Sequence, residues 1–252
     1  MANLRDLSFG YGAGTSITPQ DFSVYNTNTQ SASNEGQCCA WTVPSGTTYA
    51  VFEMWGGGGS GDGSCCCMQG GGAGAGGYVV KGITVTPGEV FRICAAASGC
   101  CYPSQGNYCG CCSFVCSTSG GASGTWQLAV SGGRGAISPT QCHGFINCYS
   151  CCSQCFCCGG IKSGADADVC FPGVTGTAHK TQHCFDDGYG VAASAPHTAG
   201  GLHMGYNGCC ARGGPSGFGM FPGGGGLSGQ SFGGGCCCGS PGAGGMVYVV
   251  YY

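Results

Sequence analysis

Cysteine is the residue type in this chain with the most evident chemistry. The chain has 252 residues, of which 26 are Cys and 56 are Gly. A cysteine content near one residue in ten is typical of disulfide scaffolds, and adjacent cysteines favour bonds to different partners. The predicted disulfide cysteines are Cys38, Cys39, Cys65, Cys66, Cys67, Cys151, Cys152, Cys236, Cys237 and Cys238. Their connectivity does not follow from the sequence.

Metal binding is the alternative use of these cysteines. Two C-x-x-C pairs together can bind zinc or an iron–sulfur cluster, and two such pairs are formed by Cys148 with Cys151 and by Cys155 with Cys158. At this cysteine density the same spacings arise by chance. We therefore expect disulfides and no cofactor, and keep a metal site at these four cysteines as the alternative.

The sequence does not predict an enzyme. Residues 229–233 match the nucleophile pattern G-x-S-x-G, but with this much glycine about one such match is expected by chance, and no strand–helix pattern surrounds it. The acidic residues Asp166, Asp168, Asp186 and Asp187 match no Ca²⁺ loop. We interpret them as parts of solvated loops.

Charge and hydropathy argue against two further classes of protein, those that bind nucleic acids and those that span membranes. Seven Lys and Arg residues and a net charge of −3 argue against binding to a nucleic-acid backbone. The longest apolar run is the last seven residues, 246–252, and a membrane span needs about 18. No nucleic-acid partner and no membrane span are expected.

The elements that position these residues are predicted to be β-strands and glycine segments. Glycine is unfavourable inside helices, and only five leucines are present, so we expect an all-β, sandwich-like fold, disulfide cross-linked, with little or no helix. The segments 56–63, 70–77 and 223–235 are long enough for polyglycine II helices, which have three residues per turn. Strands are predicted at 49–55, 78–85, 90–94, 126–130 and 246–252, with the second and third of these forming a hairpin.

The composition also indicates two parts of the chain. Residues 1–36 are polar and lack cysteine, which predicts an extended N-terminal attachment arm. Residues 37–252 are predicted to form a single glycine- and cysteine-rich domain, closed by its first (37–55) and last (246–252) strands.

Five stretches combine strand patterns with glycine runs or turns. They are Trp41-Thr-Val-Pro-Ser-Gly, Trp55-Gly-Gly-Gly-Gly, Gly74-Ala-Gly-Gly-Tyr-Val-Val, Val85-Thr-Pro-Gly-Glu and Gly244-Gly-Met-Val-Tyr-Val-Val-Tyr. Together these stretches resemble the glycine-rich domain of phage tail fibres. The resemblance covers about 37–98 and 239–252, and the sequence departs from the family in its cysteine content.

The resemblance implies a virion structural protein with a host-attachment role, located in the extracellular particle and made without a signal peptide. Residues 1–36 would join other virion proteins, and the domain would form a homo-oligomer, a trimer by analogy. A surface decoration protein without receptor contact and an intracellular metal-binding protein are the alternatives. Aromatic and histidine side chains in glycine-rich loops are the expected receptor contacts, namely Tyr189, His197, His203, Tyr206, Phe218, Phe221 and Phe232.

Overall fold

Nine strands and no helix make up the described part of the chain. The computed structural model describes residues 18–23, 37–61, 73–97, 110–118, 127–135, 167–171, 173, 219, 221–226 and 241–252. The strands are β1 (Thr18–Ser23), β2 (Gln37–Thr42), β3 (Tyr49–Trp55), β4 (Tyr78–Thr84), β5 (Val90–Ala95), β6 (Ser113–Ser117), β7 (Gln127–Val130), β8 (Val169–Phe171) and β9 (Met246–Tyr251). The all-β prediction is confirmed. A search of these residues for a helix long and apolar enough to cross a bilayer finds none.

The strands form two antiparallel sheets. Sheet A has the order β1-β9-β3-β4-β8, and sheet B has the order β2-β5-β6-β7. The first long strand and the last strand are neighbours, because β3 pairs with β9 from Ala50↔Tyr251 to Trp55↔Met246. β1 comes from the predicted N-terminal arm and adds to the free side of β9.

The core lies between the two sheets and follows from alternation along the strands. Phe52 and Met54 on β3 are fully buried, as are Phe91 and Ile93 on β5. Trp41 of β2 packs edge-on against Phe52, with ring centroids 5.8 Å apart. Burial of each such side chain stabilises the fold by about 1.5–3 kcal/mol, so a few large residues compensate for a chain in which leucine is rare.

The predicted hairpin between residues 78–85 and 90–94 is wrong. The turn itself is present, with Glu89 N–H donating to the Thr86 carbonyl and Gly88 at a φ of 84°. However, β4 pairs with β3 and β8, whereas β5 pairs with β2 and β6. A turn fixes only the change of direction. Both strands that it joins bury side chains in the same core, β4 from sheet A and β5 from sheet B.

A disulfide joins two neighbouring strands of sheet B. Cys38 and Cys94 are directly opposite in the β2–β5 register and form a bond across a sequence separation of 56. Cys39, also predicted as a disulfide cysteine, has a free, exposed thiol instead. Side chains alternate along a strand, so Cys39 leaves the face of Cys38, and the residue opposite it is Ile93.

Candidate functional site

Glycine segments continue both sheets at one end of the sandwich. β3 runs into residues 56–61, and 73–77 and 241–245 lead into β4 and β9; in sheet B, 110–112 lead into β6 and β7 runs into 131–135. Residues 223–226 pack among them. We call these segments, 56–61, 73–77, 110–112, 131–135, 223–226 and 241–245, the glycine bundle. Its backbones are therefore held at one end by strands of both sheets.

Hydrogen bonds in the glycine bundle repeat every three residues. Within segment 56–61, successive amides donate to different segments, and the fourth returns to the segment of the first. The four bonds are Gly56 N–H to Gly77 O (3.0 Å), Gly57 N–H to Cys111 O (3.1 Å), Gly58 N–H to Ala243 O (2.8 Å) and Gly59 N–H to Gly74 O (3.0 Å). Three residues per turn is the period of polyglycine II.

Segment 73–77 shows the same period. Amides three residues apart donate to one neighbouring segment, at carbonyls that are also three residues apart. Two bonds reach 223–226, from Ala73 to Gly226 O and from Gly76 to Gly223 O, and two reach 131–135, from Gly74 to Arg134 O and from Gly77 to Ser131 O. The described parts of the three predicted segments thus bond to one another and to 110–112, 131–135 and 241–245 as polyglycine II helices would.

The close packing of the bundle requires glycine at its central positions. A Cβ added to Gly58 would overlap the carbonyl group of Gly224, and one added to Gly57 would overlap that of Ala97. Alanine fits at other positions, and Ala73, Ala75 and Ala243 are buried within the bundle. The bundle is therefore held by backbone groups, with almost no side-chain core of its own.

Ser113 fixes the junction between the two sheets and the glycine bundle. Its side chain is fully buried. The hydroxyl Oγ donates to the carbonyl of Trp55 at the end of β3 (2.6 Å) and accepts from the N–H of Ala96 just after β5 (2.9 Å). One side chain of sheet B thereby satisfies a backbone group in each sheet at the point where the strands give way to glycine.

Replacing Ser113 by alanine should therefore lower the free energy of unfolding. The change removes a buried hydrogen bond to the Trp55 carbonyl and one from the Ala96 N–H, each of which contributes about 0.5–1.5 kcal/mol. Urea unfolding without reductant measures the difference. Ser45→Ala, at an exposed turn position, is the matched control and should change little. An equal effect of both substitutions would contradict the role given to Ser113.

An aromatic cluster lies where the outer face of sheet A meets the bundle. Trp55, Tyr78, Tyr248 and Met246 are buried there together with Ala75. Tyr78 Oη donates to Glu53 Oε1 at 2.7 Å. Phe221, predicted as a receptor contact, is partly buried and packs against this cluster.

The exposed large apolar residues of the described part all lie on this outer face. They are Tyr49 (38%), Val169 (41%) and Phe171 (42%). Tyr49 stacks on Tyr252 with ring centroids 5.8 Å apart, and its hydroxyl lies over Gly82, where a side chain would collide with it. None of these residues was predicted as a contact, although the two-residue alternation of β3 and β8 places them on one face.

An ion pair fastens the edge strand β8 to β4. Lys81 Nζ donates to Asp168 Oδ1 at 2.8 Å, and Gly82 N–H donates to Asp168 Oδ2 at 2.7 Å. Slight burial raises the pKa of Asp168, but the hydrogen bonds from Gly82 and Lys81 and the lysine charge outweigh it, so the pKa lies below its ordinary value. Of the acidic residues predicted in solvated loops, Asp168 is half-exposed but tied to the sheet.

We expect this carboxylate to contribute stability at neutral pH and to lose that contribution in acid. Because its pKa is lower in the folded state, the contribution is present above the unfolded pKa of about 4 and disappears as pH falls through the folded value. Asp168→Asn should reduce the free energy of unfolding by less than about 1 kcal/mol at pH 7, since the pair is exposed. Urea unfolding at pH 7 and at a series of pH values below 4 should show a difference from wild type that is largest at pH 7 and shrinks as the pH falls; a constant difference would contradict it.

The other predicted contacts lie outside the described residues. Tyr189, His197, His203, Tyr206 and Phe218 belong to the segment between Gly173 and Gly219, and Phe232 to the segment between Gly226 and Pro241. The residues that flank these segments lie in or against the bundle. Gly219 N–H donates to Pro241 O at 3.2 Å, and Gly226 N–H donates to Gly59 O at 2.9 Å. Both segments therefore start and end at the glycine bundle.

Most predicted disulfide and metal cysteines also lie outside the described residues. These are Cys65, Cys66, Cys67, Cys148, Cys151, Cys152, Cys155, Cys158, Cys236, Cys237 and Cys238. Within the described part, Cys112 and Cys116 have free thiols, and no three His, Cys, Asp or Glu residues there are grouped to hold a metal ion.

Comparison with known proteins gives a family assignment. No curated protein sequence matches the chain significantly. The family model described as glycine-rich domain matches residues 31–252, which include eight of the nine strands and the whole glycine bundle. The chain therefore belongs to the glycine-rich domain family.

Proposed function

We propose that the chain is a structural protein of a virus particle, part of a phage tail fibre or another surface appendage with a role in host attachment. The observation that carries the proposal is the glycine bundle anchored in both sheets. Its backbone hydrogen bonds run to several neighbouring segments from one residue to the next, so it resists bending without a large apolar core. A bundle with this hydrogen bonding suits an exposed appendage that must stay rigid.

The described residues that flank the segments with the predicted receptor contacts support the attachment role. The segments that carry Tyr189, His197, His203 and Phe232 start and end at the bundle. A rigid base with aromatic and histidine side chains in the segments it holds is a common arrangement in recognition sites, because rings supply contact area at low entropic cost. In this proposal the bundle end faces the host, residues 1–36 join other virion proteins, and the copies form a homo-oligomer.

Two measurements on particles purified from the source of the protein test this function. Immunogold labelling of purified particles reports whether the chain is in the virion. Adsorption of the particles to host cells, after the cells are incubated with purified full-length protein, reports attachment.

We expect labelled appendages and reduced adsorption. The control is the same protein after reduction and unfolding, which should leave adsorption unchanged. Labelled particles with unchanged adsorption would favour a decoration protein. Unlabelled particles together with bound zinc or iron in the purified protein would favour the metal-binding alternative and overturn the proposal.

A further inference from the structure

The edge of sheet A is completed by a strand from outside the family domain. The family match begins at residue 31, whereas β1 comprises Thr18–Ser23 and pairs with β9 over its whole length, from Thr18↔Tyr251 to Ser23↔Met246. Without β1, the described part of sheet A would have the order β9-β3-β4-β8, with β9 as its edge strand. The domain thus has a strand position at β9 that its own residues 37–252 do not fill in this structure.

Left unpaired, β9 would be an edge strand that readily pairs with another strand. All six of its residues are apolar or aromatic, Met246-Val-Tyr-Val-Val-Tyr, without charge, proline or glycine. Strands of this composition bind further strands when their edge is open. Its side chains Val247 and Val249 are fixed in the core, so the strand itself stays in place and presents its outer backbone groups to whatever segment is available.

The sequence of β1 is suited to cover such an edge and then to stop further pairing. It is Thr-Pro-Gln-Asp-Phe-Ser, in which proline, placed opposite Val250, lacks an N–H, and aspartate carries a charge. Both residue types are typical of edge strands that do not recruit another strand. A segment of this sequence closes the sheet, and the next copy of the same sequence finds no equivalent edge beside it.

We propose that the β9 edge is a strand-binding site that binds residues 18–23 of a second copy of the chain in exchange for residues 18–23 of its own chain. The pairing of β1 with β9 is the same whichever copy supplies the strand, so exchange costs few contacts. Residues 24–36 join β1 to the domain, a length of chain that can reach about 40 Å when extended. Exchanged strands would link neighbouring copies, whatever the assembly to which they belong.

A synthetic peptide tests the edge directly. The probe is a fluorescein-labelled peptide of residues 15–26, and the protein is the full chain carrying Gln20→Pro and Phe22→Pro, which removes two β1 amide donors. We expect this variant to bind the peptide at least about tenfold more tightly than wild type, whose own β1 competes for the edge. The same peptide with both prolines is the control and should not bind. No binding to a variant that still unfolds in one cooperative thermal transition would overturn the proposal.

A deletion tests exchange between copies even if the double variant does not fold. Removing residues 24–36 joins Ser23 of β1 directly to Gln37 of β2, with their Cα atoms about 3.8 Å apart. Because β1 and β2 belong to different sheets, one uninterrupted strand does not fill both positions in the same copy. We expect this chain to form dimers or larger oligomers by light scattering at concentrations where an equally long deletion of residues 2–14 behaves as wild type. A folded monomer after the deletion of 24–36 would overturn the exchange. Neither experiment depends on particles or host cells, so its failure is separate from failure of the proposed function.

Discussion

Replacing Gly58 by alanine should destabilise the fold by more than about 3 kcal/mol, a large part of the total stability of an ordinary domain. Gly58 lies in the centre of the glycine bundle, and its N–H donates to Ala243 O at 2.8 Å. An added Cβ would overlap the carbonyl group of Gly224. Because the obstructing atoms are backbone, they can move only if the hydrogen bonds of that segment break. Urea unfolding without reductant measures the loss.

Gly77→Ala is the matched control for this substitution. Gly77 is buried in the same bundle, but the nearest atom to its added Cβ is the side-chain methyl Cγ2 of Val130 at 3.1 Å. A side chain can rotate or shift by a few tenths of an ångström, so we expect a cost of less than about 1.5 kcal/mol. Equal effects at Gly58 and Gly77 would show that backbone proximity does not limit these positions.

Removing the disulfide should cost about 4 kcal/mol. The bond between Cys38 and Cys94 closes a loop with a sequence separation of 56, and the loss of this constraint raises the entropy of the unfolded chain by that amount. The test is the double substitution Cys38→Ser with Cys94→Ser, compared with wild type by urea unfolding under oxidising conditions.

The neighbouring cysteine is the control for this change. Cys39→Ser alters an exposed free thiol and should shift the free energy of unfolding by less than about 0.5 kcal/mol. If Cys39→Ser were as damaging as the double substitution, the thiol of Cys39 would have to share in the cross-link, and the assignment of the disulfide to Cys38 and Cys94 would be wrong.

Strong local patterns made the main strands predictable. β3 and β9 coincide with continuous apolar or alternating runs bounded by glycine, and β3 ends at Trp55 as predicted. The strands that were not predicted are β1, β6 and β8. β8 has three residues, and β1 is polar. Each adds to a strand that already has a partner on its other side, so its position depends on a distant edge and has little local signal.

The partners of each element were less predictable than the elements. The predicted hairpin requires a turn between residues 85 and 90, and the turn is present, but it connects two sheets and not two paired strands. In the same way, Cys38 was a predicted disulfide cysteine, whereas its partner Cys94 lies 56 residues away and became identifiable only through the β2–β5 register. Alternation and turn residues act within a few positions, and neither specifies which strands meet across the core.

In the candidate site, too, local features were predictable from the sequence and distant partners were not. Glycine content indicated polyglycine II segments, and the hydrogen bonds of 56–61 and 73–77 have that period. The contribution of residues 110–112 and 131–135 to the bundle was not predicted, because these segments have few consecutive glycines. Phe221 is predicted as a contact because it is an aromatic residue in a glycine-rich stretch, yet it packs against the cluster of Trp55 and Tyr78, which are far away in sequence.

The three-residue period of the glycine bundle limits how its segments can change in length during evolution. In segment 56–61 the amides of Gly56 and Gly59 face the same neighbouring segment. Inserting or deleting one or two residues would rotate every later amide by about a third of a turn and direct it at the wrong neighbour. A change of three residues restores each amide to its partner segment. Length differences between related bundles should therefore occur in multiples of three, whereas those within the strands should preserve the alternation of two.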